Sequence, residues 1–228
     1  MSETGGHGVK ERAVMSWSGG KDSTLALQDV LKDGCEIVAL LTAVTEPYDR
    51  VSIHGVRRAL LEEQAASLAL PLEQVLISAH PSNSDYEAKM LAALRRYKRE
   101  GVGTVVFGDI FLEDIRAYRE ALLARLGMRA RFPLWWCDSA ALAHRFIDDG
   151  FKAVTVCTDS RALPQAFVGR AYDRRFLADL PQGVDPCGEN GEFHTFVYDG
   201  PPFKERVAHC PGEVVFRDER FYYFDLMP

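Results

Sequence analysis

The feature that most constrains this chain is an apolar run that stops at two glycines and restarts as a helix. Arg12 to Trp17 reads as a short buried strand, Ser18-Gly19-Gly20 breaks it, and Lys21 to Lys32 resumes with Leu25, Leu27 and Leu31 apolar. Gly34 reads as the helix stop. A strand, a tight glycine turn and a helix in immediate succession form the first half of a βαβ unit.

The pattern then repeats. Glu36 to Thr42 is a second near-continuous apolar run, which suits a parallel strand covered on both faces. His54 to Ala69 carries a helical stripe of Val56, Leu60, Leu61, Ala65 and Leu68. Gln74 to Ser78 and Thr104 to Ile110 read as strands, and Ser84 to Glu100 and Leu112 to Leu126 as helices. This alternation predicts an α/β fold built on a parallel sheet. Ligands of such sheets bind beyond the carboxyl ends of the strands, so 18–23, 43–54 and 108–116 should share one rim.

Past residue 130 the texture changes. Asp138 to Asp149 reads as a helix, Lys152 to Thr158 as a strand and Ala166 to Leu180 as a helix. Phe193 to Tyr198, Glu213 to Arg217 and Phe221 to Leu226 read as strands, with a turn at Asp218-Glu219. The expected organisation is an N-terminal segment 1–11, a nucleotide-type domain 12–130 and a smaller α+β domain 131–228. Phe221 to Phe224 reads as a terminal strand at a subunit edge, which suggests a homodimer.

Composition narrows the function. Of the 228 residues, 47% are hydrophobic and 26% charged, with a formal charge of −6. That supports a real core and argues against a protein that coats nucleic acid. No apolar run is long enough for a membrane span, and the polar start lacks the apolar core of a secretory signal. The five cysteines contain no C-x-x-C pair, which fits a reducing, cytoplasmic setting and argues against a zinc ribbon. Most should be small buried hydrophobes; Cys187 stands apart because it borders a Gly/Glu-rich segment.

The chemistry should reside in Ser18-Gly19-Gly20-Lys21-Asp22-Ser23. Glycines let the backbone approach an anion, and the helix start presents N–H groups and a favourable dipole to phosphate. Lys21 adds a charge and Ser18 and Ser23 add hydroxyls. The spacing is not that of a Walker loop, and an aspartate follows the lysine. His54 and Arg57 precede a helix and face either nucleotide or solvent. Asp109, Glu113, Asp114 and Arg116 form a charged cluster after the fourth strand, where Asp114 is a candidate helix cap. Glu189, Asn190, Gly191, Glu192 and His194 form a glycine-rich turn that is either an acceptor contact or a solvated bend.

SGGKDS resembles the PP-loop of ATP pyrophosphatases, a Rossmann-like group with the adenine-nucleotide alpha-hydrolase-like fold. His54-Gly55-Val56-Arg57, Gly108-Asp109-Ile110, Arg116 to Glu120, Pro133-Leu134-Trp135 and Gly188 to Thr195 resemble one branch, the diphthine–ammonia ligase family. The resemblance runs from about Val14 to Phe203. It implies an AMP-forming ligase that cleaves ATP between its α- and β-phosphates, adenylates a carboxylate acceptor and transfers ammonia, or nitrogen from an amide donor. It implies ATP held by Ser18, Gly19, Gly20, Lys21, Asp22, Ser23, His54 and Asp109, with Lys21 and Asp22 catalytic. It also implies Mg²⁺ at Asp22, with Asp109 the weaker candidate. Arg116, Glu189, Asn190, Gly191, Glu192 and His194 would then contact the acceptor.

One segment departs from the diphthamide pattern E-G-G-E-[FY]-E-T. Here Asn190 replaces a glycine and His194 an acid. The E-N-G-E-F-H version resembles a bacterial subgroup associated with corrinoid salvage, which points to a different acceptor. Two other readings compete. A PP-loop tRNA-modifying enzyme would need a basic surface and often paired cysteines, and neither is visible. A non-catalytic ATP sensor would bind nucleotide without turnover. The ligase reading predicts that Lys21→Ala and Asp22→Ala abolish nucleotide turnover while circular dichroism shows a retained fold; normal turnover in both would refute it.

Overall fold

The computed structural model describes residues 10–52 and 54–228. The expected N-terminal segment 1–11 therefore lies almost wholly outside the described residues.

The first strand is central. β1 (Arg12–Ser16) pairs in parallel with β2 (Glu36–Thr45) on one side and β5 (Thr104–Val106) on the other. β4 (Leu72–Ile77) extends the sheet beyond β2, and β6 (Arg129–Arg131) extends it beyond β5, all in parallel. The two-residue β3 (Arg50–Val51) folds back antiparallel on Val44–Thr45, above the end of β1. The order β4-β2-β1-β5-β6 reverses direction between β1 and β5. That reversal opens a crevice at the carboxyl ends of those two strands.

The helices follow from the apolar stripes. α1 (Lys21–Lys32) and α2 (Arg58–Leu68) supply Leu25, Leu27, Leu60 and Leu61 to one face of the sheet. α3 (Asn83–Arg99) and α4 (Glu113–Ala124) cover the other face with Leu91, Leu94 and Leu123. Ser82 caps α3 through Asp85 N–H, at 3.1 Å.

The remaining chain forms α5 (Ser139–Asp148), β7 (Lys152–Asp159), α6 (Arg174–Asp179), β8 (Phe193–Asp199), β9 (Cys210–Arg217) and β10 (Phe221–Met227). Its strands make an antiparallel sheet in the order β8-β7-β10-β9. Phe146, Phe151, Phe176, Phe193 and Phe196 are all fully buried there, and their cluster is continuous with Trp17 and Leu61 of the first part. One core therefore joins the two sheets.

Several expected elements are corrected. His54 to Arg57 is a turn, not the first turn of α2, because the β2–β3 hairpin holds Gly55 in a left-handed conformation with φ of 71°. The fourth strand stops at Val106; Phe107 to Ile110 leaves it so that Gly108 can lie against Asp22 and Ser23. The α-helix expected over 166–180 is confined to Arg174–Asp179. The stretch 170–172 runs extended beside β7, with Thr155 N–H donating to the Arg170 carbonyl and Tyr172 N–H to that of Ala153. Leu112, not Asp114, occupies the N-cap of α4. The Phe221–Phe224 run is not at an edge, since β10 lies between β7 and β9 and the outer strand is β9. β3 and β6 escaped the sequence reading because runs of two and three residues carry no periodicity.

The C-terminal strand also braces the rim. Asp225 receives Arg57 Nε at 3.0 Å and Nη2 at 2.6 Å, and Arg50 Nη1 lies 2.8 Å away. The Arg57 hydrogen bonds lead in pulling the Asp225 carboxyl down to about 2. A depressed carboxyl pKa stabilises the fold above its unfolded value, and that contribution is lost as pH falls through the folded one. With half-exposed arginines the effect is about 1 kcal/mol. Asp225→Asn should lower stability by about that amount at pH 7, and urea melts should show the difference shrinking toward pH 2.

Candidate active site

The glycine loop sits at the crevice between β1 and β5, at the start of α1. Gly19 is left-handed (φ 76°), and a Cβ there would stand 2.6 Å from Gln64 Oε1. No side chain but hydrogen fits. Gln64 is fully buried; its Nε2 donates to the carbonyls of Gly19 (3.0 Å) and Val197 (2.5 Å), and its Oε1 accepts from Trp17 Nε1 (3.1 Å). On the other side Val197 N–H donates to the Gly19 carbonyl at 2.9 Å. The loop is thus clamped between α2 and β8.

Gly20 is the N-cap of α1 and supplies no side-chain cap. Thr195 Oγ1 accepts the Lys21 N–H at 3.1 Å, while the next donors, at Asp22 and Ser23, receive no cap from Gly20. Uncapped first-turn donors with the helix dipole behind them make an anion site. The Ser18 and Ser23 hydroxyls share a hydrogen bond at 3.1 Å, and Ser23 Oγ donates to the Gly20 carbonyl at 2.9 Å. Gly108 presses on the same turn; a Cβ there would lie 2.8 Å from Ser23 N.

Lys21 turns inward rather than toward solvent. Only 2% of it is exposed. Its ammonium donates to Asp22 Oδ2 at 2.8 Å and to the Cys187 carbonyl, and lies 5.2 Å from the Phe193 ring centroid and 5.8 Å from that of Tyr172. Burial opposes the charge, but the Asp22 carboxylate leads the groups that outweigh it, so the Lys21 pKa is raised. Lys21→Ala would leave Asp22 without its counterion in a buried setting, at a cost of about 3–5 kcal/mol. Asp22→Asn would in turn leave the buried Lys21 ammonium without its counterion, so a circular-dichroism control accompanies either variant.

Three carboxylates close the crevice. Asp22 Oδ1 is buried and has no hydrogen-bond partner. Asp109 is tied to Arg119, 2.9 Å away, and the Arg119 guanidinium stacks over Phe107. Glu189 Oε1 accepts the N–H of Ile110 at 2.8 Å, while Asp185 accepts the N–H of Glu189 at 2.8 Å. Burial is the main cause that lifts the Glu189 carboxyl to about 7, with Asp22 and Asp109 adding repulsion. A carboxyl with that value changes charge near neutral pH, as a general acid or base must.

The turn 189–194 contributes unequally. Glu192 is buried; its Oε1 accepts from Asp185 N–H (3.1 Å) and Asn190 Nδ2 (3.0 Å), while Oε2 has no partner. Asn190 therefore positions Glu192. His194 lies against His54, with ring centroids 4.4 Å apart. Gly191 takes a left-handed turn (φ 88°). Arg116 is not brought to the loop: it pairs with Glu120 at 2.8 Å and stacks over Trp135 and Phe132. Arg119 is the arginine that the fold brings to Asp109 instead. Cys187 contributes its carbonyl, and burial leads in pushing its thiol well up. All five cysteines are free.

Sequence reasoning missed Gln64, Thr195 and Arg119. Gln64 carried a readable signal, a polar side chain inside the apolar stripe of α2. Thr195 and Arg119 lie inside the family-like segments 188–195 and 116–120, but nothing local assigns them a role, because their partners are distant in sequence. If Glu189 serves as a base, turnover should rise with pH through about 7 and then level off, because the carboxyl must lose its proton to act. Glu189→Gln should lower kcat by about 100-fold and flatten that limb in a pH–rate profile.

Comparison with known proteins accounts for this geometry. Residues 11–130 match the diphthamide synthase N-terminal domain, and residues 138–224 match the diphthamide synthase C-terminal domain. The diphthine–ammonia ligase of Danio rerio is 29% identical over 229 residues, covering 91% of this chain and 90% of that protein. The Homo sapiens diphthine–ammonia ligase is 26% identical over 220 residues, covering 87% and 82%. That of Schizosaccharomyces pombe is 27% identical, and there the match spans 87% of this chain but 36% of the longer protein. With the two domain matches in their expected order and the glycine loop clamped between them, the chain belongs to the diphthamide synthase family of enzymes.

Proposed function

We propose that this protein is an ATP-dependent, AMP-forming ligase that adenylates a carboxylate acceptor and transfers ammonia to it. The observation that carries the reading is the start of α1 in the crevice, where Gly20 gives the Asp22 and Ser23 N–H groups no side-chain cap, next to an orphaned carboxylate oxygen of Asp22. The loop 18–23 would hold the pyrophosphate half of ATP, so that backbone N–H groups and the nearby Lys21 charge meet the charge that grows as the α–β bond breaks. The acceptor carboxylate attacks the α-phosphorus and pyrophosphate leaves. Ammonia then attacks the acyl carbon, and AMP departs. Glu189, near the same rim, takes the proton that the attacking nitrogen must lose.

The site residues fit Mg²⁺. Asp22 Oδ1 is a buried hard oxygen without a partner. Among the described residues no three or more His, Cys, Asp or Glu side chains converge on a metal position. Mg²⁺ bound through one or two carboxylates plus phosphates needs no such cage. When bound it supplies charge neutralisation to the polyphosphate.

The acceptor half of the reading rests on the turn at 189–194. Glu189, Glu192, Asn190 and His194 would supply its wall, and an imidazole at 194 replaces an acid of the diphthamide pattern. This supports an acceptor other than diphthine, and corrinoid-related carboxylates are the class implied by the bacterial resemblance. The nitrogen donor is free ammonia or a separate amide-hydrolysing protein.

The test is the nucleotide product. Protein with ATP, Mg²⁺, ammonium and a small-molecule cell extract should form AMP and pyrophosphate, resolved by ion exchange, and Asp22→Asn should lower the rate at least about 100-fold. ADP and phosphate in place of AMP would overturn the reading. Nucleotide binding without turnover under any acceptor would favour the sensor.

A further inference from the structure

The two imidazoles beside the loop come from opposite halves of the chain. His54 lies in the turn after β3 and His194 on β8, and their rings meet at 4.4 Å with an interplanar angle of 46°. His54 Nε2 is 3.5 Å from the position a Cβ on Gly20 would take. Thr195, next to His194, holds the Lys21 N–H. The pair therefore borders the N-terminus of α1.

The groups around the pair are few. From α1, Lys21 acts on both rings; Asp22 is already paired with Lys21. From β7, Cys157 lies across from His194, and burial keeps its thiol neutral, pushed up to about 12. From β10, Tyr223 packs on Gly55 with its phenol also held neutral by burial. Arg50 and Arg57, flanking the His54 turn, are closed on Asp225. The Ser52 carbonyl lies beside His54. Among the described residues no carboxylate is hydrogen-bonded to either ring.

We propose that His54 and His194 form a phosphoryl-oxyanion contact beside the loop that takes up a proton when nucleotide binds. The rings are neutral without an anion beside them: burial first, with Lys21 adding, pushes His54 down to about 4, and burial, then His54 and Lys21, pushes His194 well below its ordinary value. An opposite charge within ~4–6 Å raises such a value by about 1–3. A polyphosphate carries several charges, which brings at least one ring into the neutral range. The proton comes from solvent and bonds to a ring nitrogen; no other bond changes. The loop thus gains a second cation only when the anion is present. An acidic side chain at 194 would instead add negative charge against the same phosphates. This inference rests on the ATP half of the proposed function.

Calorimetry tests it without turnover. Titrating the intact protein with the Mg²⁺ complex of α,β-methylene ATP, in buffers of different ionisation enthalpy, should reveal uptake of up to about half a proton per nucleotide at pH 7, rising toward about one at pH 6. Affinity should weaken as pH rises from 6 to 8, by up to about tenfold per pH unit. His54→Gln and His194→Gln should each lower the uptake, and Glu189→Gln measures the separate share that the Glu189 carboxyl, at about 7, takes up beside the same anion. Parallel titrations with pyrophosphate and with AMP show which end of the nucleotide carries the linkage. Wild-type binding without proton uptake would overturn the inference and leave the proposed function standing, and that result needs no variant to fold. Uptake lost in Glu189→Gln and kept in both histidine variants would also overturn it. Failure of wild type to bind nucleotide at all would overturn the ATP reading with it.

Discussion

Gly19 points its carbonyl at two donors at once, the N–H of Val197 on β8 and the Nε2 of Gln64 on α2. Only a residue without Cβ holds the left-handed φ of 76° with Gln64 packed this close. This small junction ties the first sheet, the second sheet and the helix between β3 and β4 to one loop. Remove it, and the start of α1 loses its orientation toward the crevice. The buried aromatic cluster around Phe193 is continuous with Trp17 across the same junction, so packing and hydrogen bonding enforce the same arrangement.

The second sheet is therefore part of the proposed nucleotide site rather than an appendage. It supplies Thr195 to the Lys21 N–H, and the segment leading into it supplies the Cys187 carbonyl to the Lys21 ammonium and Glu189 to the Ile110 N–H in the loop after β5. An aspartate directly after the loop lysine gains a physical reason here. Its Oδ2 balances a buried ammonium while Oδ1 remains open to a ligand. The pair costs desolvation that a purely structural ion pair would not recover well, which fits a group retained for binding.

Much of this was legible from the residues. The SGGKDS turn, the alternation of apolar runs with helical stripes and the β texture after Pro181 were each strong local signals, and each lies where it was expected. The parts that were not legible share a cause. β3 and β6 are too short for periodicity, the truncation of β5 answers to Gly108 packing on a distant backbone, and the extended run at 170–172 is set by pairing with β7. Arg116 and Arg119 are three residues apart on one helix, and nothing local says which reaches Asp109. The contact between His54 and His194 is a purely tertiary fact.

The central claim is that the α–β bond of ATP breaks at this loop. Positional isotope exchange tests it most directly. ATP carrying ¹⁸O in the α–β bridge, incubated with the protein, Mg²⁺ and acceptor extract but no ammonia, should scramble the label into the non-bridging β-oxygens as adenylation reverses. Label that stays in the bridge while ADP accumulates would contradict the account.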